Sequence, residues 1–190
     1  MTTIIGILVL LVLLPLTLLV LYQWFLAASS FLYRSPAAHV GDKQAQFLIL
    51  IPAHNEEVGI ASTLESLHNL KYPPALYRIL VVADRCTDGT AAIAKHLGAE
   101  CFERVDGQPG KGAALAWGVQ QARSAQIAFD AVVIVDADTL ADRDLLLAFN
   151  AEFQAGRQVQ QGYNYISNPW ASPFTRIIAV TGVLRNGRYY

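Results

Sequence analysis

The chain has 190 residues, of which 54% are hydrophobic and 15% charged, and its formal net charge is −1. No charged residue occurs before Arg34, so an apolar amino-terminal segment precedes a part of ordinary globular composition. This composition excludes an intrinsically disordered chain and a small disulfide-bonded protein. The net charge gives no electrostatic basis for non-specific binding to nucleic acid, and we expect none.

The apolar segment predicts a membrane anchor. Residues 4–25 are almost wholly apolar, and a helix needs roughly 20 such residues to cross a bilayer. Basic residues follow this segment and none precedes it, which places the remainder in the cytoplasm. We therefore expect a transmembrane helix over 1–33 and a linker over 34–45. A cleaved signal peptide is the alternative, but it has a basic start and a shorter apolar run.

From residue 46 onward, apolar runs typical of buried strands alternate with segments at helical spacing. The predicted strands are 46–51, 78–83, 100–105, 131–135 and 159–165, and the predicted helices are 60–70, 90–97, 113–122, 142–153 and 173–185. This alternation predicts an α/β fold, because parallel strands need crossover helices. The strands are continuously apolar, as in a sheet that helices cover on both faces. The last helix has two interpretations, packing on the sheet or lying on a membrane surface.

Polar side chains follow the predicted strands, where the doubly wound α/β fold binds its ligands. Asp136 and Asp138 come directly after a buried strand, and in an extended segment their carboxylates point the same way. Two such carboxylates can share a divalent cation, Mg²⁺ or Mn²⁺, although solvated strand-end acids have the same spacing. Lys111 stands between two glycines before a helix and can neutralise a diphosphate there. A surface lysine on a flexible turn is the alternative.

Two further candidates follow the first two strands. Asp84 can accept hydrogen bonds from a base or a ribose, whereas Asp88 is expected to cap the next helix. His54 can stack on a nucleobase or bond to it, although a single histidine is more often structural. Neither a Walker phosphate loop nor a G-x-G-x-x-G segment is present. Cys86 and Cys101 lack metal or redox spacing, so we expect two reduced thiols.

The segments IPAHNEE (51–57), VVADRCTDGT (81–90), GKGAALAWG (110–118) and VIVDADT (133–139) together resemble family 2 glycosyltransferases. The similarity covers roughly residues 46–190 and is greatest to the membrane-anchored branch that makes exopolysaccharides, with cellulose-synthase-like relatives. It implies a GT-A fold, a nucleotide-sugar donor (usually a UDP-sugar), a divalent cation and inversion at the anomeric carbon. The acceptor would be a hydroxyl of a polysaccharide, a lipid or a protein.

The resemblance also implies roles for individual positions. Those expected along the base and the ribose are Pro52, Ala53, His54 and Glu56, with Asp84 on the uracil. Lys111 would meet the diphosphate, Asp136 the ribose or metal-bound water, and Asp138 the metal. Many relatives have Tyr where this chain has His54, so the way in which the base stacks is open.

The general base of the family is not found in this chain. In such enzymes it is a further carboxylate, in the acceptor-binding half, and this sequence has no Asp or Glu after Glu152. We therefore expect the base beyond Tyr190, and the chain to be the donor-binding half of a longer enzyme. The alternatives are a membrane-tethered nucleotide-sugar-binding module without activity and a nucleotidyltransferase. The latter usually has a Gly-rich loop after its first strand, where this chain reads PAHNEE.

Overall fold

A computed structural model describes residues 2–32 and 44–186, which divide into two units. Residues 44–162 form the α/β unit, and residues 2–32 and 163–186 form the second unit. The α/β unit contains strands β1 (Phe47–Ala53), β2 (Tyr77–Asp84), β3 (Glu100–Arg104) and β4 (Ala131–Ile134), and helices α2 (Ile60–His68), α3 (Thr90–His96), α4 (Lys111–Ser124) and α5 (Leu145–Gln154). The second unit contains helices α1 (Thr2–Leu32) and α6 (Pro173–Asn186).

Helix α1 coincides with the predicted anchor. It has Pro15 in its interior, and the side chains described in it, chiefly those from Leu10 to Leu26, are exposed. Across the described residues, no helix combines the length and the apolar character needed to traverse a bilayer. The transmembrane anchor therefore stays a prediction. Most of the predicted linker, residues 34–43, lies outside the described residues.

The four strands form one parallel sheet in the order β3-β2-β1-β4, which confirms the predicted α/β class. Its centre is β1, which pairs with β2 on one side and with β4 on the other. After β3 the chain crosses to the far side of β1 to add β4, so the direction of winding reverses between β1 and β4. Such a switch point leaves a crevice at the carboxyl ends of the strands.

Helices cover both faces of the sheet, because successive side chains of a strand point to opposite faces. Ile49 and Ile51 of β1 lie in the larger core, with the apolar residues of α2, α3 and α5. Leu48 and Leu50 lie in the smaller core, which α4 covers. Buried residues on both sides explain why β1 reads as a continuous apolar run.

Helix α4 approaches the sheet closely at Gly118. A Cβ built there would lie 2.6 Å from Val82 Cγ2 and 2.9 Å from Leu50 Cδ1. Both neighbours are fully buried. Only a residue without a side chain fits between the helix and the sheet at this point, and this contact fixes the height of α4 above β1 and β2.

Two of the predicted elements differ from the structure, one strand and the start of one helix. Residues 159–165 form no strand; they are irregular. The sheet therefore ends at β4 in the described part of the chain, and Ile134 on this edge is 55% exposed. Helix α5 begins at Leu145, three residues later than predicted, because Asp142 and Asp144 form a turn in which the Asp144 N–H donates to Asp142 Oδ1 (2.8 Å).

The predicted helix over 173–185 is present as α6. The Thr175 N–H donates to Ser172 Oγ (3.1 Å) at its start, and the Arg176 guanidinium lies 5.2 Å from the centre of the Trp170 ring. Phe174, Ile177 and Ile178 on this helix are exposed. Its location on a membrane or against the sheet stays open.

Candidate functional site

A cleft of about 470 Å³ lies at the carboxyl ends of the strands, around the switch point between β1 and β4. All eight site residues predicted from the sequence line it: Pro52, Ala53, His54, Glu56, Asp84, Lys111, Asp136 and Asp138. They come from four separate segments of the chain, the ends of β1, β2 and β4 and the start of α4. The parallel sheet brings them together because its strands end at one edge.

The loop after β1 is held against the end of β2. His54 Nδ1 lies 2.6 Å from Asp84 O, and since a carbonyl oxygen only accepts, Nδ1 carries the proton and donates it. Asn55 has a φ of 56°, and its Oδ1 accepts a hydrogen bond from the Thr87 N–H (2.8 Å). The Asn55 N–H in turn lies 3.4 Å from Cys86 Sγ, and burial raises the pKa of this thiol. Both cysteines are free, as expected.

The next residues of the two loops interlock through backbone amides. The Glu56 N–H donates to Thr90 Oγ1 (2.8 Å) and the Glu57 N–H to Asp88 Oδ2 (3.1 Å). Glu57 Oε2 accepts from the Gly89 N–H (2.9 Å), and Asp88 Oδ1 accepts from the Thr90 N–H (3.0 Å). The Thr90 hydroxyl also donates to Asp88, and this bond is the main reason that the pKa of Asp88 is lowered. The N-cap residue of α3 is Gly89 and not Asp88 as predicted; Asp88 contributes from the preceding position, by accepting the Thr90 N–H.

The Asp84 side chain is almost fully buried at the rim of the cleft, and two arginines hold it. Arg104 Nη1 donates to Asp84 Oδ1 (2.7 Å), with both side chains at most 10% exposed. Arg85 Nη1 lies 3.5 Å from Asp84 Oδ2. A carboxylate in this position needs such partners, because an unpaired buried charge is costly.

Across the cleft, Lys111 faces the two aspartates. Lys111 is the first residue of α4, after Gly110 with a φ of 116°, and its Nζ forms an ion pair with Asp136 Oδ1. Both side chains of this pair are about half exposed. Asp138 is exposed, and among the described residues it has neither a hydrogen-bond nor an ion-pair partner. The carboxylates and the ammonium are therefore accessible to a ligand.

The segment from Asp136 to Asp138 is a turn, which corrects the prediction of an extended segment. The Thr139 N–H donates to Asp136 O (3.1 Å) and closes the turn. Ala137 between the two aspartates is buried, and its carbonyl accepts a hydrogen bond from Thr63 Oγ1 of α2 (2.8 Å). Thr63 is itself fully buried. Helix α2 thus fixes the turn from below, while both carboxylates line the cleft.

The donor set fits a divalent cation that a substrate helps to bind. Asp136 and Asp138 offer the hard oxygen ligands that Mg²⁺ and Mn²⁺ prefer. Within residues 2–32 and 44–186, no group of three or more potential protein ligands is present. Mg²⁺ is commonly held by one or two carboxylates together with substrate phosphates and water. The two aspartates therefore suit a cation bridged to a phosphorylated ligand better than a cation bound by protein alone.

Sequence reasoning missed several residues of the cleft. Arg85, Pro109, Ala114 and Ala137 also line it. Arg85 directly follows Asp84, and its φ of 53° turns the chain at the end of β2; its place in the motif VVADRCTDGT was a usable signal. The role of Arg104 as the partner of Asp84 could not be predicted from the sequence, because a charged residue at the end of a weak strand is normally expected to be exposed.

The chain is similar in sequence to known glycosyltransferases. The sequence profile of the family described as "Glycosyl transferase family 2" matches residues 48–182. Over 102 residues the chain is 33% identical to "Probable glycosyltransferase YdaM" of Bacillus subtilis, covering 50% of this chain and 23% of that protein. Over 114 residues it is 32% identical to "Uncharacterized glycosyltransferase Rv0539" of Mycobacterium tuberculosis, covering 60% of this chain and 46% of that protein.

A solved structure shares the fold. The mannosyltransferase PcManGT from Pyrobaculum calidifontis, in complex with GDP-Man and Mn2+, matches with a TM-score of 0.58 at 25% identity. The match covers 69% of this chain and 39% of that one. The chain thus spans less than half the length of each of these three proteins.

Proposed function

Because the chain belongs to glycosyl transferase family 2, we propose that it binds a nucleoside diphosphate sugar and serves the transfer of that sugar to a hydroxyl acceptor. The main support is the cleft at the switch point of the sheet, because all eight site residues expected from the sequence line it. The family match favours this interpretation over a nucleotidyltransferase. The mannosyltransferase of similar fold was solved with GDP-Man and Mn2+, which supports the same class of ligand here.

The cleft has two chemically different ends, which we assign to the two ends of the nucleotide. One end combines the apolar surface of Pro52 and Ala53 with the His54 ring and the Asp84 carboxylate, and it suits a base and its ribose. Glu56 also lines the cleft, and we assign it to the same end because it follows His54 in the loop after β1. The other end carries Lys111, Asp136 and Asp138, and it suits a diphosphate with its cation.

In the transfer, breaking the anomeric C–O bond leaves negative charge on the diphosphate. The Lys111 ammonium, at the start of α4, is placed to stabilise this charge together with the free N–H groups of the first helical turn. Asp138 and Asp136 would hold a divalent cation, which when bound supplies further stabilisation of the leaving group. Lys111 leaves its ion pair with Asp136 for the phosphate, and Asp136 becomes available as a ligand.

The acceptor hydroxyl must lose its proton to a general base during inverting transfer. We assign the role of this base to none of the eight predicted residues of the cleft. The chain by itself should therefore bind the donor and cation but transfer sugar slowly.

Titration calorimetry of the whole chain tests the binding step. UDP and GDP, each with and without Mn²⁺, are compared for the wild type and for Asp138→Asn and Lys111→Met. We expect binding that requires Mn²⁺ and is about tenfold weaker or more in both variants, since hydrogen bonds and ion pairs to charged groups contribute about 1.5–3 kcal/mol. Glu65→Gln, which removes an exposed carboxylate of α2 outside the cleft, is the matched control. Absence of nucleotide binding by the wild type would refute the proposal.

We propose separately that α1 attaches the protein to a membrane, with the α/β unit in the cytoplasm. The support is the sequence, in which no charged residue precedes Arg34, and the exposure of the apolar side chains from Leu10 to Leu26. Extraction of cell membranes at alkaline pH tests it: the chain should stay in the membrane pellet. Quantitative release into the supernatant would contradict the anchor without affecting the nucleotide site.

A further inference from the structure

Arg104 is a buried cation that touches two parts of the cleft wall without lining the cleft itself. It is the last residue of β3, and the register of the parallel strands sets it directly beside Asp84, the last residue of β2. In-register neighbours of a parallel pair project from the same face of the sheet. Hence the Arg104 guanidinium reaches Asp84 Oδ1 at 2.7 Å, and its side chain is only 6% exposed.

The other half of the same guanidinium holds the loop that leads to α4. Arg104 Nη2 donates to Gln108 O (2.6 Å). The loop folds tightly around this group, since a Cβ on Gly107 would lie 2.9 Å from Arg104 Nη2 and the φ of Gly107 is 93°. Two residues after Gln108 comes Gly110, and α4 begins at Lys111.

Arg85 reinforces the same connection. Its N–H donates to Arg104 O (2.8 Å), and its Nη2 donates to Gly107 O. Its Nη1 lies 3.5 Å from Asp84 Oδ2. Both arginines therefore connect the Asp84 carboxylate to carbonyl oxygens of the 105–110 loop.

We propose that Arg104 is a positioning residue that couples the two ends of the cleft: it fixes the Asp84 carboxylate and the 105–110 loop in one arrangement, and thereby sets the position of Lys111. This inference rests on the proposed function for the nature of the ligands, a base at Asp84 and a diphosphate at Lys111. It adds that the diphosphate end depends on a residue that does not contact the diphosphate.

The test separates the two ends with two probes, pyrophosphate and the better-bound of UDP and GDP, both in Mn²⁺. Calorimetry of the whole chain compares the wild type with Asp84→Asn, Arg104→Met and the double variant. We expect Asp84→Asn to weaken nucleotide binding while pyrophosphate binding stays within about twofold of the wild type. We expect Arg104→Met to weaken both by about tenfold, the equivalent of about 1.4 kcal/mol.

The double variant distinguishes positioning from loss of the fold. Arg104→Met alone leaves a buried carboxylate without its main partner, whereas the double variant leaves a neutral amide, so its melting temperature should recover. Pyrophosphate binding should nevertheless remain about tenfold weaker than in the wild type, because the 105–110 loop still lacks its contact with the Arg104 guanidinium. Full recovery of pyrophosphate binding with the recovered stability would overturn the proposal and assign Arg104 a structural role only.

Arg78→Met is the matched control. Arg78 pairs with Glu100 (Nη2 to Oε1, 2.6 Å) between the same two strands, but at their amino ends and with its side chain 62% exposed. It should leave both probes unaffected. Arg104→Lys retains a charge for Asp84 but cannot offer the forked contact to Gln108 O, so it should fold and still lose pyrophosphate affinity.

Hydrogen exchange gives a readout that needs no ligand. The Ala114 N–H donates to Gly110 O (3.1 Å) at the end of the 105–110 loop, and it should exchange at least about tenfold faster in the Arg104 variants and at the wild-type rate in Arg78→Met. If the wild type binds neither probe, the proposed function fails, and this exchange still decides the coupling. Unchanged exchange in a folded Arg104 variant would refute the coupling even if nucleotide binding were found.

Discussion

Gly118→Ala changes one hydrogen into a methyl group at the closest contact between α4 and the sheet. Two effects of opposite sign compete. Alanine is favoured over glycine inside a helix by about 1 kcal/mol. The new Cβ, however, would lie 2.6 Å from Val82 Cγ2 and 2.9 Å from Leu50 Cδ1, both on fully buried side chains.

The clash should outweigh the gain in helix propensity. Overpacking of a well-filled core costs about 1–3 kcal/mol, and Val82 has little freedom to rotate away because its side chain is branched at Cβ. The net effect is a loss of about 1 kcal/mol of unfolding free energy. For a protein of this size that lowers the melting temperature by about 2–4 °C.

Gly112→Ala is the matched control in the same helix, because a Cβ there would meet nothing within 4 Å. It should raise the melting temperature or leave it unchanged. Thermal and denaturant unfolding of both variants measure the contrast. A second check is the double variant Val82→Ala/Gly118→Ala, in which Val82→Ala removes the Cγ2 atom at 2.6 Å. Its loss of unfolding free energy should be about 1 kcal/mol smaller than the sum of the losses in the two single variants. Equal stabilisation by both glycine substitutions would show that α4 is not seated this close to the sheet.

The remaining predictions concern the cleft and its supports. Lys111→Met should change the unfolding free energy by less than about 0.5 kcal/mol, since its pair with Asp136 is half exposed; a larger loss in a denaturant titration would contradict the view that this pair is available to a ligand. Thr63→Val should cost about 1–3 kcal/mol, because the buried Ala137 carbonyl loses its donor, and it should weaken Mn²⁺-dependent UDP binding. Thr63→Ser keeps the donor, so it should leave UDP binding unchanged and cost only about 0.8 kcal/mol for the lost buried methyl group. Asp88→Asn removes a carboxylate whose pKa is lowered in the folded protein, so the charged form stabilises the fold above the unfolded-state pKa of about 3.9. The variant should be less stable than the wild type by the full amount at neutral pH, and this difference should vanish as the pH falls through the lowered pKa. A difference in melting temperature that does not depend on pH would disprove this role of the Asp88 carboxylate.

Much of the α/β unit follows from the sequence alone. The continuous apolar runs that became β1 and β2 require burial on both faces, and they alternate with the predicted helical segments that became α2 and α4. Those two facts lead to a parallel, doubly wound sheet. Because such a sheet ends its strands at one edge, the residues selected after each strand were predicted to meet, and all eight predicted site residues line the cleft.

Interactions between residues close together in the sequence were also partly predictable. Asp88 accepts from the Thr90 N–H two positions on, at the start of the predicted helix, although the N-cap residue is Gly89 and not Asp88. By contrast, the strand predicted over 159–165 is absent. A strand needs a neighbour to pair with, and residue type alone does not say whether one is within reach.

The tertiary structure alone decided which charged side chains are buried and what they touch. Nothing in the sequence marks Arg104 as different from the exposed Arg78, yet the register of β2 and β3 places Arg104 beside Asp84 and the 105–110 loop closes over it. Likewise, Gly118 is one glycine among 13 until α4 is laid on the sheet. Burial and ion pairing depend on contacts between segments far apart in the chain, and the sequence pattern of one segment does not indicate which other segment it will contact.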